Sequence, residues 1–242
     1  MPDKTAPAPQ PQETLSLAVV AHIRTAFSTK FGVPRQSGLV PETRAKIVFT
    51  PPYRVPEAVR GLEGFSHLWL IWHFSQVQKT GWSPTVRPPR LGGNTRMGVF
   101  ATRSPYRPNP MGLSSVRLER IVPDTPEGTV LVVSGADLMD GTPILDIKPY
   151  LPYTDSHPDA AGGFVTGLQH SPLTAECDPA LLALLPPAKQ EALLAVLRLD
   201  PRPSYQQDPD RVYGMDFAGF EIHFTVRDTV LTVQDIQIKN NT

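Results

Sequence analysis

The sequence predicts a mainly β protein, in which an N-terminal antiparallel barrel or sandwich precedes a small α+β unit. Short runs rich in β-branched and aromatic residues recur at close spacing through the first part of the chain. Proline supplies 28 of the 242 residues, and its fixed φ angle and missing N–H disfavour long helices. Leucines at helical spacing appear only after these runs end, so the main helical segment is expected in the second part.

The predicted strands share apolar, β-branched content and end at turn-forming residues. They are residues 15–25, 45–53, 65–75, 97–103, 113–122, 128–138 and 143–153. The second strand ends at Pro51 and Pro52, and residues 55–64 predict one or two helical turns that end at a glycine. So many short strands, with almost no helix between them, are typical of antiparallel barrels and sandwiches.

The chain changes in character after residue 153. Residues 154–167 predict a linker, and residues 178–205 carry helically spaced leucines that Pro186 and Pro187 interrupt. Residues 220–238 alternate as the strands of a hairpin do. The predicted parts are a disordered tail over 1–13, a β domain over 14–156 and a small α+β C-terminal domain over 157–242.

Several function classes are disfavoured by what the sequence lacks. Cys177 is the one cysteine, which rules out an internal disulfide and a thiolate-rich metal site. The glycines within 162–167 have the wrong spacing for a dinucleotide or phosphate loop. His67 and His73 share one strand face but have no third ligand near them, so no metal site is predicted. Without an apolar leader or a run of about 18 apolar residues, we expect a cytoplasmic protein with no membrane association.

The net charge of zero conceals a basic first part and an acidic second part. Residues 1–150 hold 17 Lys and Arg against 11 Asp and Glu, whereas residues 151–242 hold 6 against 12. Between Glu63 and Glu119 no acidic residue occurs, yet the interval contains Lys79, Arg87, Arg90, Arg96, Arg103, Arg107 and Arg117. An anionic partner such as RNA or DNA explains this interval. A chance run, balanced in space by the acidic second part, is the alternative.

Two segments hold polar groups in patterns that suit a binding site. In RPNP (107–110), Asn109 precedes a proline and is held toward extended geometry, which would preorganise its side chain. Asp137, Asp140 and Asp146 cluster within residues 135–153. Turn formation explains these aspartates as well as ligand binding or base catalysis does, so both interpretations stay open.

Six motifs also occur together in a fixed order over residues 15–205. They are PRQSGLV, AVRGLEGFSHLW, RPPRLGG, GVFATRSPYRPNPMGLS, DGTPILDIKPYLPY and DPRPSY. In this combination the chain resembles the TsaA-like (TrmO) family of bacterial tRNA methyltransferases. The resemblance implies a β-barrel enzyme that uses S-adenosylmethionine (SAM) and acts as a homodimer. Its implied substrate is the exocyclic N6 amine of threonylcarbamoyladenosine, next to the anticodon of threonine tRNAs.

The resemblance also implies which residues bind the cofactor. Those that match its motifs are Pro34, Arg35, Gln36, His67, Leu68, Arg103, Leu113, Ala136, Asp137 and Asp140. We expect Arg103 to face the carboxylate of SAM, because the planar guanidinium matches carboxylates and phosphates. We expect Arg107 to face an RNA phosphate or the threonyl carboxylate of the modified base.

Methyl transfer to this weakly nucleophilic amine requires positioning and the loss of a proton. Asp140 is the first candidate for the proton acceptor and Tyr150 the second. Trp82 and Tyr106 are the candidates for stacking on the single-stranded base, although such side chains are more often packed within the protein. The residues expected to contact tRNA are Arg87, Arg90, Arg96, Tyr106, Arg107 and Arg202. For Arg202 a purely structural role is an equal alternative.

Two other functions remain compatible with these residues. A non-enzymatic RNA-binding β module would share the barrel and the basic interval, but it would have no reason to bind SAM. A methyltransferase of the same fold could act on a small molecule or a protein, although the acid-free interval favours RNA. Saturable binding of SAM separates the enzyme from the binding module.

Overall fold

The described part of the protein contains two main β units, a closed six-stranded barrel and a four-stranded sheet, together with a two-stranded ribbon. The structure, a computed structural model, describes residues 13–77, 82–88, 91, 94–166, 172–203, 206 and 208–239. Its strands are β1 (Ala21–Arg24), β2 (Arg44–Phe49), β3 (His67–His73), β4 (Thr85–Val86), β5 (Met97–Gly98), β6 (Met111–Thr125), β7 (Gly128–Ser134), β8 (Pro143–Pro149), β9 (Thr174–Glu176), β10 (Tyr213–Phe217), β11 (Phe220–Arg227) and β12 (Val230–Ile238). Its α-helices are α1 (Pro152–Asp155), α2 (Pro179–Leu182) and α3 (Pro187–Arg198).

The barrel is antiparallel and closes in the order β1-β2-β7-β6-β3-β8, with β8 pairing back to β1. Alternation in the sequence sets which side chains point inward. In β3, Leu68, Leu70 and Trp72 are buried, whereas the residues between them are only half-buried. The predicted fold class is thereby confirmed, with a barrel as the resemblance implied rather than a sandwich.

The first strand is shorter than the sequence predicts. Residues 15–20 were expected to belong to it, but β1 begins at Ala21, which pairs with Phe49 at the end of β2. Pro51 and Pro52 follow and have no N–H with which to extend the ladder. Leu15, which would lie in the extension, is 83% exposed.

The strand predicted over 97–103 is also wrong in extent. Only Met97–Gly98 is extended, as β5, and it pairs with β4 in a two-stranded ribbon. Residues Val99–Ala101 form a 3-10 turn that buries Val99 and exposes Phe100. The chain turns here because it buries only the Val99 side chain, whereas a continued strand would bury every second residue.

The C-terminal sheet has the order β10-β11-β12-β9 and packs against α3 through Ala192, Leu193, Val196 and Leu197. The prolines interrupt the helical pattern as predicted, since α3 begins at Pro187, where a missing N–H is tolerated. The same core includes Phe27 and Val40, so the segment between β1 and β2 packs on the C-terminal sheet. Within the described part of the chain, no helix is long and apolar enough to cross a membrane.

Candidate active site

Residues 34–38, here called the PRQ loop, are attached to the barrel at the end of β7. The Gly38 N–H donates to the Gly135 carbonyl over 2.8 Å. Gly135 has a φ angle of 73°, and a Cβ atom built on it would lie 3.2 Å from the Gly38 Cα. Glycine adopts this conformation without strain and lets the two backbones approach this closely. The PRQ loop is therefore fixed against the segment that carries Ala136 and Asp137.

Arg103 reaches the PRQ loop from a distant part of the chain. Its Nη1 donates to Oε1 of Gln36, 67 residues away. The side chain of Arg103 is exposed, and its charge acts on the carboxyl group of Asp137. The Ser37 backbone also acts to lower the pKa of this carboxyl group. Three segments that are remote in sequence thus converge on Gln36, Arg103 and Asp137.

A chain of hydrogen bonds links Asp137 to the barrel interior. The Ser114 hydroxyl donates to Oδ1 of Asp137 over 2.6 Å, and Trp72 Nε1 donates to the Ser114 Oγ over 2.9 Å. Ser114 is 1% exposed and Trp72 is 8% exposed. Because both side chains are held by packing, the carboxylate of Asp137 has a fixed orientation.

Burial raises the pKa of Asp137 above its ordinary value of 3.8. Hydrogen bonds from Ser114 and from the backbone, together with the positive charge of Arg103, act in the opposite direction but do not cancel the effect. Desolvation disfavours the ionised form of a carboxyl group. Asp137 is therefore a stronger base than an ordinary surface aspartate.

Because of this raised pKa, the ionised Asp137 carboxylate lowers the stability of the folded state at neutral pH. A carboxyl group whose pKa is raised on folding destabilises the folded state as pH rises from 3.8 through the folded pKa, and the full cost persists above it. We expect Asp137→Asn, which keeps an acceptor for Ser114 without the charge, to unfold a few degrees higher at neutral pH, since about 1 kcal/mol corresponds to about 2–4 °C in a chain of this length. Below 3.8 the gain should vanish.

Thermal unfolding of Asp137→Asn and wild type at both pH values measures this difference. Asp140→Asn is the matched control, because the Asp140 carboxylate is more exposed and accepts from the Thr25 N–H over 2.9 Å. A lower melting temperature for Asp137→Asn at neutral pH would contradict the expected cost.

The other residues predicted to bind cofactor differ widely in their exposure to solvent. Leu68 and Ala136 lie in the barrel core at 0% and 4% exposure. Pro34 is also buried. Leu113 is 57% exposed on the outside of β6. His67 is half-buried, with Nδ1 2.9 Å from the Ser66 Oγ.

The two predicted proton acceptors both make structural contacts. Asp140 accepts from the Thr25 N–H and lies 3.7 Å from the Arg24 guanidinium. Tyr150 packs between the rings of His67 and Trp69, with centroid distances of 6.2 and 5.5 Å. Their catalytic roles stay predictions.

The residues predicted to contact RNA include an exposed group on the β4–β5 ribbon. Arg87 and Arg96 are exposed, and Arg96 Nη1 donates to the Thr85 Oγ1 over 3.2 Å. The rings of Trp82 and Phe100 lie 6.4 Å apart and are 55% and 74% exposed as residues. Arg90 lies outside the described residues.

The other predicted RNA contacts lie elsewhere. Tyr106 is 41% exposed. Arg107 is half-buried, and its Nη1 donates to the Thr102 carbonyl over 3.1 Å, which closes its own loop. Arg202 has a side chain that is 11% exposed and is bonded to the Asp200 carboxylate. These contacts agree with the structural alternative for Arg202.

Comparison with known proteins assigns the chain to a family. The family model described as the tRNA-methyltransferase O N-terminal domain matches residues 22–156, and the TrmO C-terminal domain matches residues 176–239. The chain belongs to the TrmO family. Together the two matches include every residue predicted to bind cofactor or RNA.

Curated relatives and a solved structure from the TrmO family are similar over most of the chain. The tRNA (adenine(37)-N6)-methyltransferase of Escherichia coli strain K12 is 44% identical over 85% of this chain and 91% of its own length. The protein of the same name from Eikenella corrodens is 49% identical over 71% of this chain and 97% of its own length. The crystal structure of TrmO from Pseudomonas aeruginosa has a TM-score of 0.73 and 34% identity, covering 93% of this chain and 99% of that one.

Within this member of the TrmO family, sequence reasoning missed three residues that support the site. Ser114 and Trp72 orient Asp137, and Asp200 holds Arg202. Ser114 could have been found, since a hydroxyl at an inward position of a β-strand must find a partner within the barrel. Asp200 carries no such signal, because an acidic residue two positions before Arg202 does not by itself show that the two side chains pair.

Proposed function

We propose that the protein is a SAM-dependent tRNA methyltransferase that acts on the exocyclic N6 amine of threonylcarbamoyladenosine, next to the anticodon of threonine tRNAs. The observation that carries this proposal is the convergence of Gln36, Arg103 and Asp137 at one end of the barrel. All three lie in segments that the family resemblance assigns to cofactor binding. The curated relatives from E. coli and Eikenella, named as adenine-N6 tRNA methyltransferases, support the reaction class.

The residues at this site suit SAM. The exposed guanidinium of Arg103 can bind the methionine carboxylate as a fork. The half-buried carboxylate of Asp137 attracts positive charge, which SAM carries on its amino group and its sulfonium. Leu113, 57% exposed, offers an apolar surface to the uncharged part of a nucleoside. SAM supplies an electrophilic methyl group when it is bound.

We propose Asp137, rather than Asp140, as the group that accepts the proton lost by the substrate amine. Its raised pKa makes its carboxylate the better base, and the Ser114 hydroxyl fixes one oxygen. The Asp140 carboxylate instead holds the Thr25 N–H beside Arg24. Comparing single-turnover rates of Asp137→Asn and Asp140→Asn at saturating SAM tests this choice. If Asp140→Asn lost turnover and Asp137→Asn kept it, the assignment would be reversed.

The β4–β5 ribbon is the proposed tRNA-binding surface. Two exposed arginines, Arg87 and Arg96, and two exposed aromatic rings, Trp82 and Phe100, lie on or beside it. Arginines bind phosphates, and exposed aromatic rings stack on unpaired bases at about 1–3 kcal/mol per base. The surrounding interval contains no acidic residue, so nothing in it repels the RNA backbone.

We expect Arg87→Ala and Arg96→Ala each to weaken tRNA binding and to lower the salt dependence of the binding constant. Loss of one phosphate contact reduces the slope of log K against log salt by about 0.7–0.9. SAM affinity should stay unchanged. Arg60→Ala is the control, because Arg60 is also exposed but is paired with Glu57 at 3.8 Å and lies outside the acid-free interval. If the slope of log K against log salt were equal for all three variants, the β4–β5 ribbon would not be part of the RNA interface.

Methyl transfer to defined tRNAs tests the substrate. Threonine tRNA that carries threonylcarbamoyladenosine should accept one methyl group from SAM, and the same transcript without the modification should accept none. Methylation of both transcripts would contradict the proposed specificity. Calorimetric binding of SAM, without transfer to either RNA, would instead favour a small-molecule or protein substrate.

The homodimer and the cytoplasmic location are also proposals. The family resemblance supports the homodimer, and sedimentation equilibrium at micromolar concentration tests it. A monomer at that concentration would contradict it. Because tRNA is the proposed substrate, we expect the protein to act in the cytoplasm.

A further inference from the structure

The PRQ loop is connected to the C-terminal sheet unit by Arg35. Its Nη2 donates to two backbone carbonyls, that of Arg202 over 3.1 Å and that of Asp200 over 3.4 Å. The next residue, Gln36, accepts from Arg103 at the candidate active site. Adjacent side chains of the same loop therefore hold the C-terminal unit on one side and the site on the other.

The turn that accepts from Arg35 has a fixed shape. Asp200 follows α3 with a φ angle of 51°, and its N–H donates to the Leu197 carbonyl over 3.1 Å. Its carboxylate accepts from Nε and Nη2 of Arg202 over 2.8 and 2.9 Å. A paired guanidinium and carboxylate of this geometry orient each other, so both carbonyls of the turn point in set directions.

The surroundings of this link are closely packed. Phe31 stacks on Phe224 of the sheet with ring centroids 6.4 Å apart. The Ala218 N–H donates to the Ala26 carbonyl over 2.7 Å. Gly32 lies so close to Met215 that a Cβ atom there would approach Sδ to 2.3 Å. The segment that leads into the PRQ loop thus rests on the C-terminal sheet, and Arg35 continues this support into the loop itself.

We infer that the Asp200–Arg202 turn is a positioning element for the PRQ loop and acts through Arg35. The role of Arg202 is then to shape the carbonyl pair that holds Arg35, not to bind RNA. Arg35 in turn keeps Gln36 at the distance that Arg103 requires. The inference deepens the proposed function, on which its cofactor readout rests, and it gives the C-terminal unit a part in binding the cofactor.

The first experiment measures hydrogen exchange without any ligand. The Gly38 N–H, bonded to the Gly135 carbonyl over 2.8 Å, reports whether the PRQ loop is held in place. In Arg202→Met we expect this amide to exchange about tenfold faster, while amides of β3 and β6 keep their wild-type rates and prove that the barrel is folded. Unchanged exchange at Gly38 overturns the inference, whatever the protein binds.

The second experiment titrates SAM in the absence of RNA. Arg202→Met and Arg35→Met should each weaken SAM binding by about 5- to 20-fold, less than the loss of a direct contact with the cofactor, because the link acts on the site through Gln36. The double variant should be no weaker than Arg35→Met alone, because both substitutions break one link. Arg35→Lys, which keeps a donor for the two carbonyls, should recover part of the affinity. Additive losses in the double variant contradict action through Arg35.

Arg227→Met is the matched control on the same unit. Arg227 is also paired with an aspartate, Asp210, at 2.9 Å, but its side chain is 73% exposed. It should change neither the exchange at Gly38 nor SAM affinity. If Arg202→Met lowered only tRNA affinity, Arg202 would be an RNA contact and the inference would fail. If wild type did not bind SAM, the proposed function would fail, and the exchange experiment alone would decide the inference.

Discussion

Replacing Arg103 with alanine should raise the dissociation constant for SAM by about 10- to 100-fold, because charge-assisted hydrogen bonds contribute about 1.5–3 kcal/mol. The substitution removes the proposed partner of the methionine carboxylate and also releases Gln36, to which Arg103 donates. It removes a positive charge that lowers the pKa of Asp137, so that pKa should rise further. The side chain is exposed, and the melting temperature should therefore change little.

Calorimetric titration of SAM into wild type, Arg103→Ala and Arg103→Lys measures this effect. Lysine keeps the charge but not the planar fork, so Arg103→Lys should lie between the other two. Binding of tRNA to Arg103→Ala should fall less than SAM binding does. If tRNA binding were lost and SAM binding stayed intact, Arg103 would instead be assigned to the RNA interface.

Gly112→Ala should have the largest effect on stability. A Cβ atom at Gly112 would lie 2.2 Å from the ring of Trp72, which packs on Phe74 with centroids 4.2 Å apart. Either the indole or the strand must move, and overpacking of this kind costs about 1–3 kcal/mol. For a chain of this length the melting temperature should fall by about 2–12 °C.

Gly112→Ala should also disturb the geometry of the candidate cofactor site, through side chains inside the barrel. A displaced indole cannot hold the Ser114 hydroxyl that orients Asp137. Gly98→Ala is the matched control, since Gly98 also lies in a strand and a Cβ atom there would meet nothing within 4 Å. Trp72→Leu combined with Gly112→Ala should recover part of the stability, because the smaller side chain leaves room for the new methyl group. Equal melting temperatures for Gly112→Ala and Gly98→Ala would refute this account.

Local patterns in the sequence predicted much of the fold. The aromatic and β-branched run over 65–75 predicted β3, whose inward residues Leu68 and Leu70 are fully buried. The break at Pro186 and Pro187 predicted where α3 begins. Such features depend on near neighbours in the chain, which a single sequence displays directly.

Strand limits and side-chain contacts were harder to predict. The apolar alternation at Met97–Ala101 continues beyond the end of β5. The strand itself ends at Gly98, because the next residue, Val99, is buried and the ladder stops. Arg202 carries the charge of an RNA contact, yet its guanidinium is held by Asp200. The end of β5 depends on contacts that form only when the chain is folded, whereas Asp200 lies two residues from Arg202, and their spacing alone does not show that they pair.

By itself, the sequence predicted a mainly β N-terminal domain, a helix-containing C-terminal unit and the acid-free basic interval, and the family resemblance pointed to Gln36, Arg103 and Asp137. The tertiary structure alone decided which of those residues meet. Gln36 and Arg103 are 67 residues apart, and Ser114 and Asp137 are 23 apart, yet each pair is joined by a hydrogen bond. A hydrogen bond and the burial that raises the pKa of Asp137 both depend on distances in space. These distances are set only when the barrel closes, so spacing along the chain does not reveal them.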